Sequence, residues 1–284
     1  MARQPGWQRF AGSIAENYNR DLVPAIFEPW AEDLVALAAP RPSERVLDVA
    51  CGPGVVARLA ARHAGAGQVT GLDINPGMVH LARSLPSQLP ISWREGSALQ
   101  MPFRDESFDV VLCQQGLQFF PDRAAGLREM RRVLAREGRV VLAVWGPIEQ
   151  SPGFAALAAA LDRHVSADAA AAARSPFTLC SIDELRHLLE GVGWRNMEIH
   201  SRKKLLHFPT PAEFVSQYIW ASPIAAVIGE PDTSVLQAVI WDVAAALQPY
   251  LDDHGLSFPI ENHLAVAVPA SCGANPTPGS RTRR

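Results

Sequence analysis

Between about residues 45 and 145, short β-branched apolar runs alternate with longer stretches whose apolar residues recur every three or four positions. The short runs at residues 45–49 (RVLDV), 68–73 (QVTGLD), 91–94, 108–113 (FDVVLC) and 139–145 (RVVLAVW) predict strands. The run at 108–113 is continuously apolar, the pattern of a strand buried on both faces. Residues 55–64, a stretch opened by Pro76 that carries Met78, Val79, Leu81 and Ala82, and residues 121–134 predict helices. Pro76 suits a first helical turn, where its missing N–H would have no partner anyway. Strands alternating with helices in this way predict a parallel sheet with right-handed crossovers.

Outside that block the pattern changes. Residues 1–40 predict two helices with Trp7, Phe10, Ile14, Leu22, Ile26, Phe27, Trp30, Leu34 and Leu37 on apolar faces. Residues 153–174 are Ala-rich and predict helix, and 182–189 predict an amphipathic helix ended by Gly191 or Gly193. A strand is expected at 197–208 and a closing strand at 264–268. Between them, residues 209–251 are mostly helical in pattern and are broken by Pro211, Pro223 and Pro231. The expected organisation is a helical cap at 1–40, an α/β core at 41–208, a helical insert at 209–255, a final core strand at 256–269 and a disordered Gly/Pro/Ser-rich tail at 270–284.

Composition narrows the class without naming a function. The chain has 284 residues, 48% of them hydrophobic and 19% charged, with a formal net charge of −3. This is globular composition, and it lacks the basic excess expected of a duplex-binding protein. No run of about 18 apolar residues predicts a membrane span, and the N-terminus is too polar for a secretory signal peptide. Cys51, Cys113, Cys180 and Cys272 lie far apart, with neither disulfide-framework nor zinc-site spacing. They read as reduced thiols in a cytoplasmic protein, and no metal site is expected.

Chemistry enters at the stretch VLDVACGPGVVA, residues 46–57, which reads as strand, glycine turn and helix. Gly52 and Gly54 permit a tight turn and close approach of a ligand to the main chain, and Ala57 completes a G-x-G-x-x-A pattern. Asp73 follows about 20 residues after the first glycine, at the end of the next strand, where a carboxylate can accept hydrogen bonds from both hydroxyls of a ribose. A dinucleotide would place a pyrophosphate against this turn and would need free N–H donors there. Pro53 removes one donor, and Asp48 is expected to put negative charge at the mouth of the turn. Both features suit a cationic ligand instead. Unit charges about 4–5 Å apart interact by roughly 3–4 kcal/mol at an effective dielectric of 20, so the sign matters. The turn also lacks the GK[ST] ending of a P-loop.

Four successive segments, VLDVACGPG, GLDINPGMVHLAR, EGSALQMPFRDESFDVVLCQQGLQFFPD and MRRVLAREGRVVLAVW, resemble the motifs of class I S-adenosylmethionine-dependent methyltransferases. The resemblance covers roughly residues 44–148 and is nearest to the small-molecule branch of ubiquinone/menaquinone C-methyltransferase-like and natural-product enzymes. It implies a Rossmann-like sheet of seven mostly parallel strands, with N-terminal helices and a helical insert between the last two strands. It also implies S-adenosylmethionine as cofactor. By position it implies that Asp48, Ala50, Gly52 and Gly54 hold the methionine end and that Asp73 holds the ribose. Ile74 and Met78 would flank the adenine, and Ser97, Ala98 and Leu99 would meet its edge. Gln114 would follow the fourth strand beside the cofactor, and Tyr18 would reach it from the N-terminal helices. Ser97 departs from the acidic residue usual in the family, so the backbone N–H of Ala98 or Leu99 is expected to assist.

No catalytic residue is assigned. The segment after the fourth strand, residues 114–122, holds Gln where related enzymes often carry His, and Gln is no base near neutral pH. In-line methyl transfer can draw much of its acceleration from alignment and exclusion of water. Among the histidines, His207 and His263 fall where a loop could face a lid. Gln115, Gln118, Trp145 and Tyr218 are expected to line the acceptor site, Trp145 because it ends a strand at the ligand-bearing edge of the sheet. The expected partners are a small, mostly apolar or aromatic acceptor methylated at O, C or N, with no nucleic acid and no membrane; a homodimer is left open. A nicotinamide-dependent oxidoreductase, or a non-methylating cofactor-binding member of the same fold, remains as an alternative.

Overall fold

The computed structural model describes residues 13–229 and 232–269. The expectations for Trp7, Phe10, Cys272 and the tail lie outside the described residues. An eight-stranded sheet has the order β3-β2-β1-β4-β5-β8-β6, with the short β7 pairing to β8. Its strands are β1 (Val46–Val49), β2 (Val69–Asp73), β3 (Ser92–Glu95), β4 (Phe108–Gln114), β5 (Leu134–Trp145), β6 (Trp194–Phe208), β7 (Leu251–Asp252) and β8 (Gly255–Pro269). The first five pair in parallel, whereas β8 runs antiparallel to both β5 and β6. The Rossmann-like reading therefore holds, and the strand beyond the expected seven is the two-residue β7.

The two faces of the sheet follow from alternation along the strands. Val46 and Val110 turn to the face covered by α2 (Glu28–Ala38) and α3 (Val55–Ala64), where Leu34, Val56 and Ala60 are buried. Leu47, Val49 and Val111 turn to the face covered by α5 (Arg123–Val133) and α8 (Ile182–Gly191). Asp122 caps α5 by accepting the Ala125 N–H at 2.7 Å, so that helix starts two residues later than the pattern of 121–134 suggests. The final strand is much longer than the expected 264–268. Alternate residues Leu256, Phe258, Ile260, Asn262 and Leu264 are buried from its first turn, and the same period continues outside the continuous apolar run.

A second body of helices sits beyond the C-terminal ends of the parallel strands. The insert after β6 forms α9 (Pro211–Trp220), α10 (Ile224–Ile228) and α11 (Thr233–Ala246). It does not stand alone. The Ala-rich stretch folds into α6 (Pro152–His164) and α7 (Ala167–Arg174), whose Phe154, Leu157 and Ala170 share one apolar cluster with Phe214, Ile219 and Val243 of the insert. The division at 208/209 thus marks the chain path and does not bound the packing unit. Ahead of α2, the segment Tyr18–Phe27 winds as a π-helix containing Pro24. Its wider turn keeps Tyr18, Leu22 and Ile26 facing the same way, toward this cluster.

Candidate active site

The strand order reverses between β1 and β4, and the crevice outside their C-terminal ends is where an open α/β sheet offers a ligand site. Two non-glycine residues there hold left-handed backbone, Ala50 after β1 at φ 56° and Gln115 after β4 at φ 53°. Such strain persists where surrounding structure enforces it and is concentrated at functional sites. Gly116 lets the two turns approach, since a Cβ there would lie 2.7 Å from the Ala50 Cβ. Gly54, at φ 89°, has no room for a side chain either, because a Cβ would fall 2.2 Å from the Trp93 ring.

These turns and the helical body enclose a cavity of about 690 Å³, within the range of small-molecule sites. Of the expected cofactor residues, Tyr18, Ala50, Gly52, Asp73, Ile74, Met78, Ser97, Ala98 and Leu99 line it, as do the expected acceptor residues Gln115, Gln118, Trp145 and Tyr218. Among the described residues that line it, Asp73 is the one carboxylate, and none is Lys, Arg, His or Glu. Its Oδ2 accepts the Gly52 N–H and its Oδ1 the Asn75 N–H, each at 2.8 Å. Burial raises the Asp73 carboxyl above the usual carboxylate range, opposed by the N–H groups of Asn75, Gly52 and Ile74. Asn75 in turn caps α4 (Pro76–Ser84) by accepting the N–H groups of Gly77 and Met78. The carboxylate expected to meet a ribose is therefore held by backbone at a strand end and a helix start.

Three expected cofactor residues lie elsewhere. Asp48 is buried behind the turn, and its Oδ2 accepts the Ala57 N–H of α3 at 3.0 Å. Burial pushes its carboxyl up to about 8, with Ala57 opposing the shift and Asp73 adding to it. A group at that value is largely protonated at neutral pH, so Asp48 does not supply the charge expected at the mouth. Instead it satisfies a donor in the first turn of α3 and orders the loop. Gly54 shapes the turn from outside the lining, against Trp93. Gln114 points to the N-terminal segment, where its Nε2 donates to the Phe27 carbonyl at 2.8 Å. The Leu99 N–H expected to assist at the adenine edge is taken by Ser97 Oγ at 3.1 Å.

Neither histidine of interest reaches the cavity. His263 is buried in β8, with its ring nitrogens on Ser201 Oγ and the Cys180 carbonyl, both at 2.8 Å. His207 Nδ1 meets Ser257 Oγ at 2.7 Å. The phenols that do line the cavity are poor bases. Burial, and then the nearby Tyr218 and Asp73, push the Tyr18 hydroxyl up, and burial does the same to Tyr218. The far wall contains what the sequence reading missed: Phe154 from α6, Ala172 of α7 and the turn Ser175–Phe177. The visible signal was small, a lone Phe and an SPF turn bracketing an alanine run.

Comparison with known proteins shows what this chain is similar to. Residues 47–142 match the methyltransferase domain family. The resemblance to class I S-adenosylmethionine-dependent methyltransferases is thereby borne out. A 2-phytyl-1,4-naphtoquinone methyltransferase of Synechococcus elongatus is 37% identical over 134 residues, 45% of this chain and 58% of that protein. A demethylmenaquinone methyltransferase of Deinococcus radiodurans is 39% identical over 145 residues, 49% of this chain and 60% of that protein. The chain thus spans about 60% of the length of these curated relatives. Among solved structures, the YcgJ protein of Bacillus subtilis superposes with a TM-score of 0.56 at 19% identity, covering 84% of this chain and 97% of its own. A Haemonchus contortus phosphoethanolamine N-methyltransferase 2 in complex with S-adenosyl-L-methionine gives 0.53 at 15% identity, covering 92% and 61%. The segment that matches by sequence carries the turns after β1, β2 and β4, whereas the helices after residue 148 lie outside the match.

Proposed function

We propose that the chain is an S-adenosylmethionine-dependent methyltransferase acting on a small, mostly apolar or aromatic acceptor at O, C or N. The observation that carries this reading is the composition of the cavity: among the described residues that line it there are one buried carboxylate, no basic side chain and several aromatic rings. A diphosphate would have no cation to meet there. It would also compete with Asp48 for the first turn of α3, where the Ala57 N–H is already taken. The nicotinamide alternative is therefore disfavoured. An adenosyl sulfonium fits the residues present. Asp73 would take the ribose hydroxyls, Ile74 and Met78 would flank the adenine, and Ala50 and Gly52 would let the methionine end approach the backbone.

The cofactor supplies an electrophilic methyl carbon when bound. The chain's own part is to align and to keep dry. Phe154, Phe177 and Tyr218 close the acceptor side and exclude water. Tyr18 and Tyr218 stay protonated and can donate hydrogen bonds without removing a proton. A chamber with no basic side chain in its lining suits an acceptor whose own proton is acidic, such as a phenol, an enol or a quinol. The naming of the two curated relatives for naphthoquinone and menaquinone ring substrates supports a ring acceptor.

Among the described residues no helix is long and apolar enough to cross a membrane. The reading takes the chain to be cytoplasmic, in keeping with the free buried thiols of Cys51 and Cys113. The test is incubation with methyl-labelled S-adenosylmethionine and a panel of naphthoquinols and phenols. Label on a ring acceptor is the expected result. Cofactor binding with no label on any member of the panel would favour the non-methylating alternative.

A further inference from the structure

Beside the cofactor turn, Gln115 and Gln118 form a pair whose hydrogen bonding is incomplete. Gln118 Nε2 donates to Gln115 Oε1 at 3.0 Å. The residues are 7% and 4% exposed, and both line the cavity. The other half of each carboxamide, Gln115 Nε2 and Gln118 Oε1, is buried without a partner among the described residues. Buried polar groups are nearly always satisfied, so an unpaired donor and an unpaired acceptor on two residues that line a largely apolar chamber call for a ligand or water. The conclusion does not depend on how the amides are oriented. If both are flipped, Gln115 Nε2 donates to Gln118 Oε1 and the remaining pair is again one amino donor and one carbonyl acceptor.

The pair is also held rigidly. Gln115 is locked by its left-handed backbone, and its N–H donates to the Ala143 carbonyl at 2.8 Å. Gln118 sits in the short turn Leu117–Phe119, where its carbonyl accepts from Thr178 Oγ1 at 3.3 Å and Arg123 Nη2 at 3.4 Å. Phe119, Phe120, Trp145 and Phe177 supply flat walls around it. Neither carboxamide carries charge, and among the described residues no basic side chain lines the cavity to hold an anion.

We propose that the Gln115–Gln118 pair selects the methyl acceptor by reading one edge of a neutral planar ring, an edge that offers an oxygen to one carboxamide and an O–H or N–H to the other. Lactams, ortho-diphenols and outward-facing hydroxy-carbonyls share this edge; fully methylated ethers and simple hydrocarbons lack it. The pair is a specificity determinant and moves no proton. This inference deepens the methyl-acceptor reading and rests on it.

The experiment is a calorimetric titration with four probes, run on the free chain and on the chain saturated with S-adenosylhomocysteine. 2-Quinolone and 2,3-dihydroxynaphthalene carry the edge; 2-methoxyquinoline and 2,3-dimethoxynaphthalene keep the rings and lack the donor. Edge-bearing probes are expected to bind about tenfold or more tightly than their methoxy partners, since a site built to hydrogen-bond rejects analogues that leave it unpaired. Gln115→Met and Gln118→Met, similar in length and unable to make these bonds, should bring that ratio to within about twofold. Equal binding of the wild-type chain to both probe types would overturn the proposal without any variant, as would discrimination that survives both substitutions or no binding of any probe. Failure of S-adenosylhomocysteine to bind would instead overturn the cofactor reading, and the titrations of the free chain would still judge the pair.

Discussion

The proposed cofactor side and the proposed acceptor side of the cavity are built by opposite means. On the proposed cofactor side, short turns at the ends of β1, β2 and β3 place backbone N–H groups and one carboxylate within a stretch that runs from Ala50 to Leu99. On the proposed acceptor side, Phe154, Phe177, Tyr218 and the π-helical segment with Tyr18 come from four separated parts of the chain and meet at one apolar cluster. Polar geometry fixed by strand ends gives a site that a local motif can specify. Packing across long sequence separations gives a chamber whose shape can change while the motif stays, so the two sides should respond differently to substitution.

The sharpest contrast is expected from Phe154→Ala. Phe154 meets Tyr218 with ring centroids 4.9 Å apart and Phe177 at 5.5 Å, and it is 2% exposed. Its truncation should cost about 3–5 kcal/mol of folding stability. Denaturant melts should show that loss, while S-adenosylhomocysteine affinity of the folded fraction changes little. A large fall in cofactor affinity would break the separation of the two sides. Gly54→Ala tests the other side. It combines a left-handed backbone with a clash against Trp93, and should cost about 2–4 kcal/mol together with weakened cofactor binding, read by the same melts with and without ligand.

Asp73→Ala should leave the acceptor probes bound and weaken the cofactor by about 1–3 kcal/mol, the usual cost of losing charge-assisted hydrogen bonds. Unchanged affinity would show that the ribose lies elsewhere. A further effect concerns pH. Burial moves the Asp48 carboxyl from an ordinary 3.8 to about 8. The folded chain therefore binds that proton more tightly than the unfolded chain does. The stabilisation is fully present below about pH 4 and is lost as pH rises through about 8. Asp48→Asn should flatten that part of the stability profile in melts taken across the range. A profile unchanged by the substitution would mean that Asp48 is not buried in the way described.

Much of the cofactor side was legible in the sequence because the information is local. Glycines at 52 and 54, Pro53 and Asp73 each follow from the demands of a tight turn or a strand end, and the run from Val46 to Ala57 carries them in order. The role of Asp48 was not legible. The same residue pattern serves a carboxylate turned to a ligand or one turned to its own helix, and only the Ala57 contact distinguishes them. Gln114 and Gln115 are adjacent and identical in type, yet one ties down Phe27 and the other enters the cavity, because the strand ends between them. The acceptor wall was read only in part. Alanines at 155–173 say helix but not which neighbour, and their small side chains let α6 and α7 pack close under the insert.

The central claim is that a cavity whose described lining has one carboxylate and no basic side chain takes an adenosyl sulfonium and refuses a diphosphate. Titration calorimetry at neutral pH, with S-adenosylmethionine and NAD offered separately to the same preparation, tests it most directly. Saturable micromolar binding of S-adenosylmethionine with no detectable heat from NAD is the predicted result. Binding of NAD as tight as that of S-adenosylmethionine, or tighter, would contradict the account.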